Sequence, residues 1–223
     1  AFMNHMFPLT RTEMGGAFDL NLALTWGTLP RVTQLENLDE KKAYLKAYTQ
    51  AYLNEEVWAE QLVRKLDPFR KFLEIASQSS GDIVNYSNIA MDVGVDTKTV
   101  QSYFQILEDT LLGFMLEPFH KSVRKQQRQN PKFYLFDLGV KRAFDRLLDQ
   151  NMAPGTYAYG KAFEHWVILE VFRLNHYLDK DFRFYYLRTK EQAEIDLIVE
   201  RPGQSYVLIE FKSALYVDER DTR

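Results

Sequence analysis

The sequence contains no cysteine. That absence excludes disulfide staples, cysteine-ligated zinc and a thiol nucleophile together, and with only four scattered histidines a His-rich metal site is not expected either. No charge of one sign dominates: 28 Lys+Arg stand against 31 Asp+Glu, a net of −3 over 223 residues. A polybasic, histone-like protein is therefore excluded, and any nucleic-acid surface must be a local patch. Long apolar runs are missing as well. Leu111–Leu116 and Trp166–Leu169 are soon interrupted by charge or proline, far short of the roughly 18–20 residues that span a bilayer. Residues 1–8 lack the basic, apolar and small-residue regions of a signal peptide, and no internal repeat or low-complexity tract is visible. The expectation is a cytoplasmic protein with no membrane partner. What is present, 46% apolar and 14% aromatic side chains, is enough to bury a core in one or two domains.

Along the chain, Thr10 and Glu13 have capping-box spacing at a helix start. From about Glu36 to Ala76 apolar residues recur at three- and four-residue steps through Tyr44, Leu45, Tyr48, Tyr52, Leu53, Val57, Leu62 and Leu66. This spacing predicts a helical region whose aromatic stripe is a buried face rather than a stacking surface. Asn85–Leu107 reads as helix, tight turn, helix: Ile89 and Ala90 in the first, Gly94 at the turn, Asp96 or Thr97 capping the second, and Val100, Phe104 and Leu107 turned inward. Lys98, Thr99, Gln101 and Ser102 then occupy the outer face, with side chains that suit a DNA groove. Two strands follow, Leu111–Pro118 and Phe133–Phe136, joined by a connection with Lys121, Arg124, Lys125, Arg128 and Lys132 and no acid. Such a hairpin looks like a wing that could neutralise several phosphates without reading sequence. A three-helix unit for protein contacts, with a solvated basic loop, is the alternative.

Asn151–Gly155 is the best linker in the sequence, and a domain boundary is expected there. Beyond it an amphipathic helix, Gly160–Leu178, precedes strands at Arg183–Leu187, Glu194–Glu200 and Tyr206–Lys212. Period-two alternation puts Glu194 and Asp196 on one face and Ile195 and Leu197 on the other; Glu210 and Lys212 share a face in the same way. Two carboxylates and a lysine at the centre of a sheet are costly unless they pair or bind a cation. Mg²⁺ or Mn²⁺ held by Asp196 and Glu210 is one solution, with Lys212 stabilising charge on a phosphoryl group. Ordinary cross-strand Glu–Lys pairing is the other. Gly155-x₄-Gly160-Lys161 superficially matches a P-loop, but Ala162 lacks the hydroxyl that Mg²⁺–ATP needs.

Glu164 on the helix, Asp196 on a strand and Glu210-x-Lys212 on the next resemble the PD-(D/E)XK nuclease pattern in both order and setting. The fold class expected is α/β with a helical N-terminal half: a winged helix-turn-helix followed by a PD-(D/E)XK nuclease-like α/β domain. The whole arrangement also resembles the C-terminal region of a large prokaryotic group of predicted AAA+-type ATPases. The stretches that carry the likeness are Phe7-Pro8-Leu9-Thr10-x-x-Glu13, Asn85–Ala90 with Gly94-Val95 and Thr99-Val100, Pro131–Gly139, Gly160–Glu164, Glu194-Ile195-Asp196 and Ile209–Ser213. The resemblance implies residues 1–37 as the end of an ATPase module, 38–150 as the helical and winged-helix domain, and 151–223 as a nuclease-like domain continuing past Arg223. It implies that ATP binds only in a module upstream of Ala1, and that Glu164, Asp196, Glu210 and Lys212 are the catalytic candidates. DNA is the expected partner, with a protein partner or a second copy as the alternative.

Overall fold

The computed structural model describes residues 5–120, 129–189 and 194–213. Local capping signals set many of the helix starts. Before α1 (Arg11–Met14) the Thr10 hydroxyl accepts from Glu13 N at 3.3 Å, and the Glu13 carboxylate accepts from Thr10 N at 2.8 Å, the reciprocal box its spacing promised. Asp19 caps α2 (Leu20–Trp26), Pro30 opens α3 (Pro30–Gln34), and Asn37 caps α4 (Leu38–Ala51), which runs on as a π-helical stretch, Tyr52–Ala59. After α5 (Leu66–Gln78), Asn85 caps α6 (Tyr86–Val93). Gly94 then turns the chain in the left-handed region at φ 80°, and Asp96 caps α7 (Thr97–Asp109).

The core of this helical half contains Leu45, Tyr52, Val57, Phe69, Phe72, Val100 and Phe104, so the aromatic stripe is indeed a packed face. Its floor is strand β2 (Lys132–Leu135), paired antiparallel with β1 (Gly113–Pro118). Alternation along β2 sends Phe133 and Leu135 into the helical core, leaving Lys132 and Tyr134 for the opposite face.

That opposite face carries α9 (Tyr157–Tyr177), reached through α8 (Leu138–Phe144). Strands β3 (Arg183–Arg188), β4 (Glu194–Glu200) and β5 (Val207–Ile209) form an antiparallel meander, and β1 joins it in parallel where Glu117 and Pro118 meet Tyr185 and Tyr186. The result is one mixed five-stranded sheet in the order β2-β1-β3-β4-β5, continuous across the linker at 151–155. The last strand is shorter than the alternation of Tyr206–Lys212 predicts, ending at Ile209. The apolar residues of helix α9 divide between the sheet and the neighbouring helices. Ile168 and Val171 meet the sheet, whereas Phe163 and Trp166 turn to Leu24 and Leu138 on α2 and α8.

Candidate functional site

On the α9 face, Lys132 is 2% exposed, yet it sits in a strand between apolar neighbours. Burying an ammonium is tolerable only where opposite charge is close. Its Nζ lies 2.6 Å from Glu194 Oε1 on β4 and 3.6 Å from Glu164 Oε1 on α9, above the Tyr186 ring at 5.3 Å. The Tyr134 hydroxyl, two residues along β2, donates to Glu164 Oε1 at 3.2 Å, and Lys161, one helical turn before Glu164, reaches its other oxygen at 3.6 Å. Burial alone would push the Glu194 carboxyl up. The hydrogen bond from Lys132 and the charges of Lys132, Arg188 and Lys161 instead hold it below the usual carboxylate value. Burial and then the neighbouring charge of Glu164 drive the Tyr134 hydroxyl well above its ordinary range, with Asp196 and Glu194 adding to the effect. Tyr134 therefore remains a neutral donor at the centre of the acids.

Asp196 sits at an irregularity in β4. Tyr185 faces Ile198 and Leu187 faces Ile195, so Tyr186 alone opposes both Asp196 and Leu197. A bulge of this kind re-aims side chains and breaks strict alternation. Leu197 accordingly joins Tyr134 and Ile168 in the core under α9, not the face that alternation alone assigns to it. Asp196 accepts a hydrogen bond from Phe211 N at 2.7 Å, which ties it to the backbone between Glu210 and Lys212. Those two residues pair with each other at 2.6 Å, with side chains 49% and 39% exposed. The structure thus joins Glu164 and Glu194 to Lys132 and Glu164 to Tyr134, ties Asp196 to the Phe211 amide, and leaves Glu210 and Lys212 as an exposed ion pair beyond.

As arranged, these residues do not fit a divalent ion. Among the described residues no three His, Asp or Glu side chains could hold a metal, and the cation between Glu164 and Glu194 is the Lys132 ammonium. The alternation argument noticed the acids of β4 but missed Lys132, Tyr134 and Lys161. The available signal for Lys132 was the same one: a charged residue beginning an otherwise apolar strand.

The DNA-facing candidates divide. On α7, Lys98, Gln101 and Ser102 are exposed, while the Thr99 hydroxyl is engaged with Asp96 Oδ2 at 2.7 Å as part of the helix cap. Lys121, Arg124, Lys125 and Arg128 lie outside the described residues. No described helix is long and apolar enough to cross a membrane.

Residues 17–151, more than half of the chain, match the family model of DUF8612, a domain of unknown function. The chain belongs to the DUF8612 family. Residues 159–223 match a second model of unknown function, DUF4143, a domain often found in AAA-ATPase-associated proteins. The chain is also similar to "Uncharacterized protein Rv2008c" of Mycobacterium tuberculosis (strain ATCC 25618 / H37Rv) and to "Uncharacterized protein Mb2031c" of Mycobacterium bovis (strain ATCC BAA-935 / AF2122/97). Each is 25% identical over 198 residues, 89% of this chain and 44% of the relative. The DUF8612 chain therefore spans less than half the length of these relatives. No solved structure matches it.

Proposed function

We propose that this DUF8612–DUF4143 chain is the DNA-engaging part of an AAA-type ATPase, with residues 38–150 working as a winged helix and residues 151–223 as a nuclease-like domain. Residues 1–37 are then the end of the ATPase module. The observation that carries the reading is the α6–Gly94–α7 pair followed by the β1–β2 hairpin, with Ile83 bridging antiparallel to Lys132 as a third short pairing. In such an arrangement α7 is the helix for the major groove, and the connection from Lys121 to Arg128 binds phosphates. With a net charge of −3 the affinity must come from this local patch and must be strongly salt-dependent.

Fluorescence anisotropy with duplex DNA tests it. Replacing Lys121, Arg124 and Lys125 together by alanine is expected to weaken binding at low salt by about tenfold or more. It should also flatten the slope of log K against log salt by roughly 2–3, at about 0.9 for each phosphate no longer neutralised. Equal affinity and slope in wild type and variant would leave protein contact, with a partner or a second copy, as the role of this half.

A further inference from the structure

The resemblance to PD-(D/E)XK nucleases implies Mg²⁺ or Mn²⁺ at Asp196 and Glu210, but in this fold the chain itself engages both carboxylates. Asp196 Oδ2 accepts from Phe211 N at 2.7 Å, and Glu210 is paired with Lys212 at 2.6 Å. The acids of helix and strand converge instead on Lys132, whose Nζ lies 2.6 Å from Glu194 Oε1 and 3.6 Å from Glu164 Oε1. A divalent ion held by those two oxygens would need distances of about 2.0–2.6 Å to them. It would then stand against the ammonium, where like charges repel strongly. Two further cations border the group: Lys161 lies between Glu164 Oε2 at 3.6 Å and Asp82 at 3.3 Å, and Arg188 stands opposite Glu194 on β3. Both are more exposed than Lys132, which is the buried cation of the set.

The lysine is fixed in place by its own segment. The Tyr186 hydroxyl donates to the Asn130 carbonyl at 2.5 Å, Val84 N donates to the Pro131 carbonyl at 2.8 Å, and the Tyr186 ring lies 5.3 Å from Nζ. Lys132 belongs to β2, whose Phe133 and Leu135 enter the helical core, whereas Glu164 and Glu194 lie on α9 and β4, beyond the linker at 151–155. We propose that Glu164 and Glu194 form a cation site whose resident ion is the Lys132 ammonium, supplied by the helical half in place of a divalent metal. Lysine and metal are then mutually exclusive occupants, and the lysine pins residues 151–223 to β2. The inference needs only these contacts between β2, α9 and β4, and is independent of the DNA reading of α7 and the hairpin.

Removing the resident ion should open the site to ions from solution. Lys132→Ala deletes a fragment the size of n-propylammonium, and the Glu194 side chain, 35% exposed, leaves a way in. Calorimetry and thermal melts on this chain test it, with Mn²⁺ and n-propylammonium as probes and NaCl of equal ionic strength as the control. Lys132→Ala is expected to melt below wild type, to be stabilised saturably by either probe, and to bind Mn²⁺ about tenfold or more tighter than wild type does. Adding Glu194→Gln should abolish that gain. Should Lys132→Ala fail to fold, Lys132→Met carries the test. It leaves the two acids without their cation, so the double variant Lys132→Met/Glu194→Gln should melt above Lys132→Met alone. Equal Mn²⁺ affinity in wild type and Lys132→Ala, uptake of neither probe by that variant, or no rise in melting temperature when Glu194→Gln is added to Lys132→Met would overturn the proposal.

Discussion

Arg173→Ala is expected to lower the stability of the folded chain by about 3–5 kcal/mol, the range found when one partner of a buried ionic network is removed. Arg173 is 2% exposed in the next-to-last turn of helix α9. Its guanidinium donates to the Phe136 carbonyl at 2.7 Å, the Thr28 hydroxyl at 3.0 Å and the Leu9 carbonyl at 3.3 Å, and lies 3.6 Å from Glu170 Oε1. Thr28 N donates in turn to Asp137, and Arg11 N donates to Glu170. Burial already pushes the Asp137 and Glu170 carboxyls up, with Arg173 among the groups opposing that rise. Truncation would leave two carbonyls, a hydroxyl and two buried acids without their cation, and would remove the bonds by which α9 holds Leu9, Thr28 and Phe136 together. Urea unfolding followed by circular dichroism measures the effect. Arg173→Lys should lose less than alanine, since it keeps the charge but cannot match the guanidinium fork. A loss under about 1 kcal/mol in the alanine variant would mean that the N-terminal segment contributes almost nothing to the folded state.

How far such features are legible in a sequence depends on the range over which they are determined. The Thr10–Glu13 box, the Gly94 turn and the Asp96 cap involve residues a few positions apart, so residue type and spacing suffice to place them. The antiparallel order of β3, β4 and β5 follows from short connections in the same way. Lys132 meeting Glu194, 62 positions away, depends on β1 running beside β3 at Pro118 and Tyr186, and no local pattern reports that junction. The bulge at Asp196 and Leu197 is set by pairing with Tyr186, which periodicity alone cannot supply. Alternation therefore found the acids of β4 and misplaced Leu197. The orientation of α9 was obscured for a related reason: apolar residues surround much of this helix because it faces α2 and α8 as well as the sheet. Arg173 shows the limit most plainly, since an arginine in an amphipathic helix reads as solvated until the chain that covers it, Leu9 to Thr28, is seen to return there.

Acid is expected to destabilise the protein through His165 before most carboxylates titrate. Burial, reinforced by the charges of Lys141 and Arg173 against the opposing hydrogen bond to Leu135, lowers the pKa of the ring from 6.5 to about 3. The folded chain therefore keeps His165 neutral over a pH range in which the unfolded chain protonates it. The resulting loss begins as pH falls below about 6.5 and is complete near pH 3; a depression of this size corresponds to about 5 kcal/mol, with about 3 kcal/mol expressed between pH 7 and pH 4. Asp137 and Glu170 act with the opposite sign, because their raised folded values favour proton uptake by the folded state. His165→Gln isolates the histidine contribution: it retains a donor for the Leu135 carbonyl and has no proton to gain. Wild type should thus lose about 3 kcal/mol relative to His165→Gln on going from pH 7 to pH 4 in paired urea titrations. A difference that is constant over that interval would mean that the folded protein admits the proton as readily as the unfolded chain. Such uptake would have to occur at Nδ1, because Nε2 already donates to Leu135, and would set an imidazolium against the charges of Lys141 and Arg173.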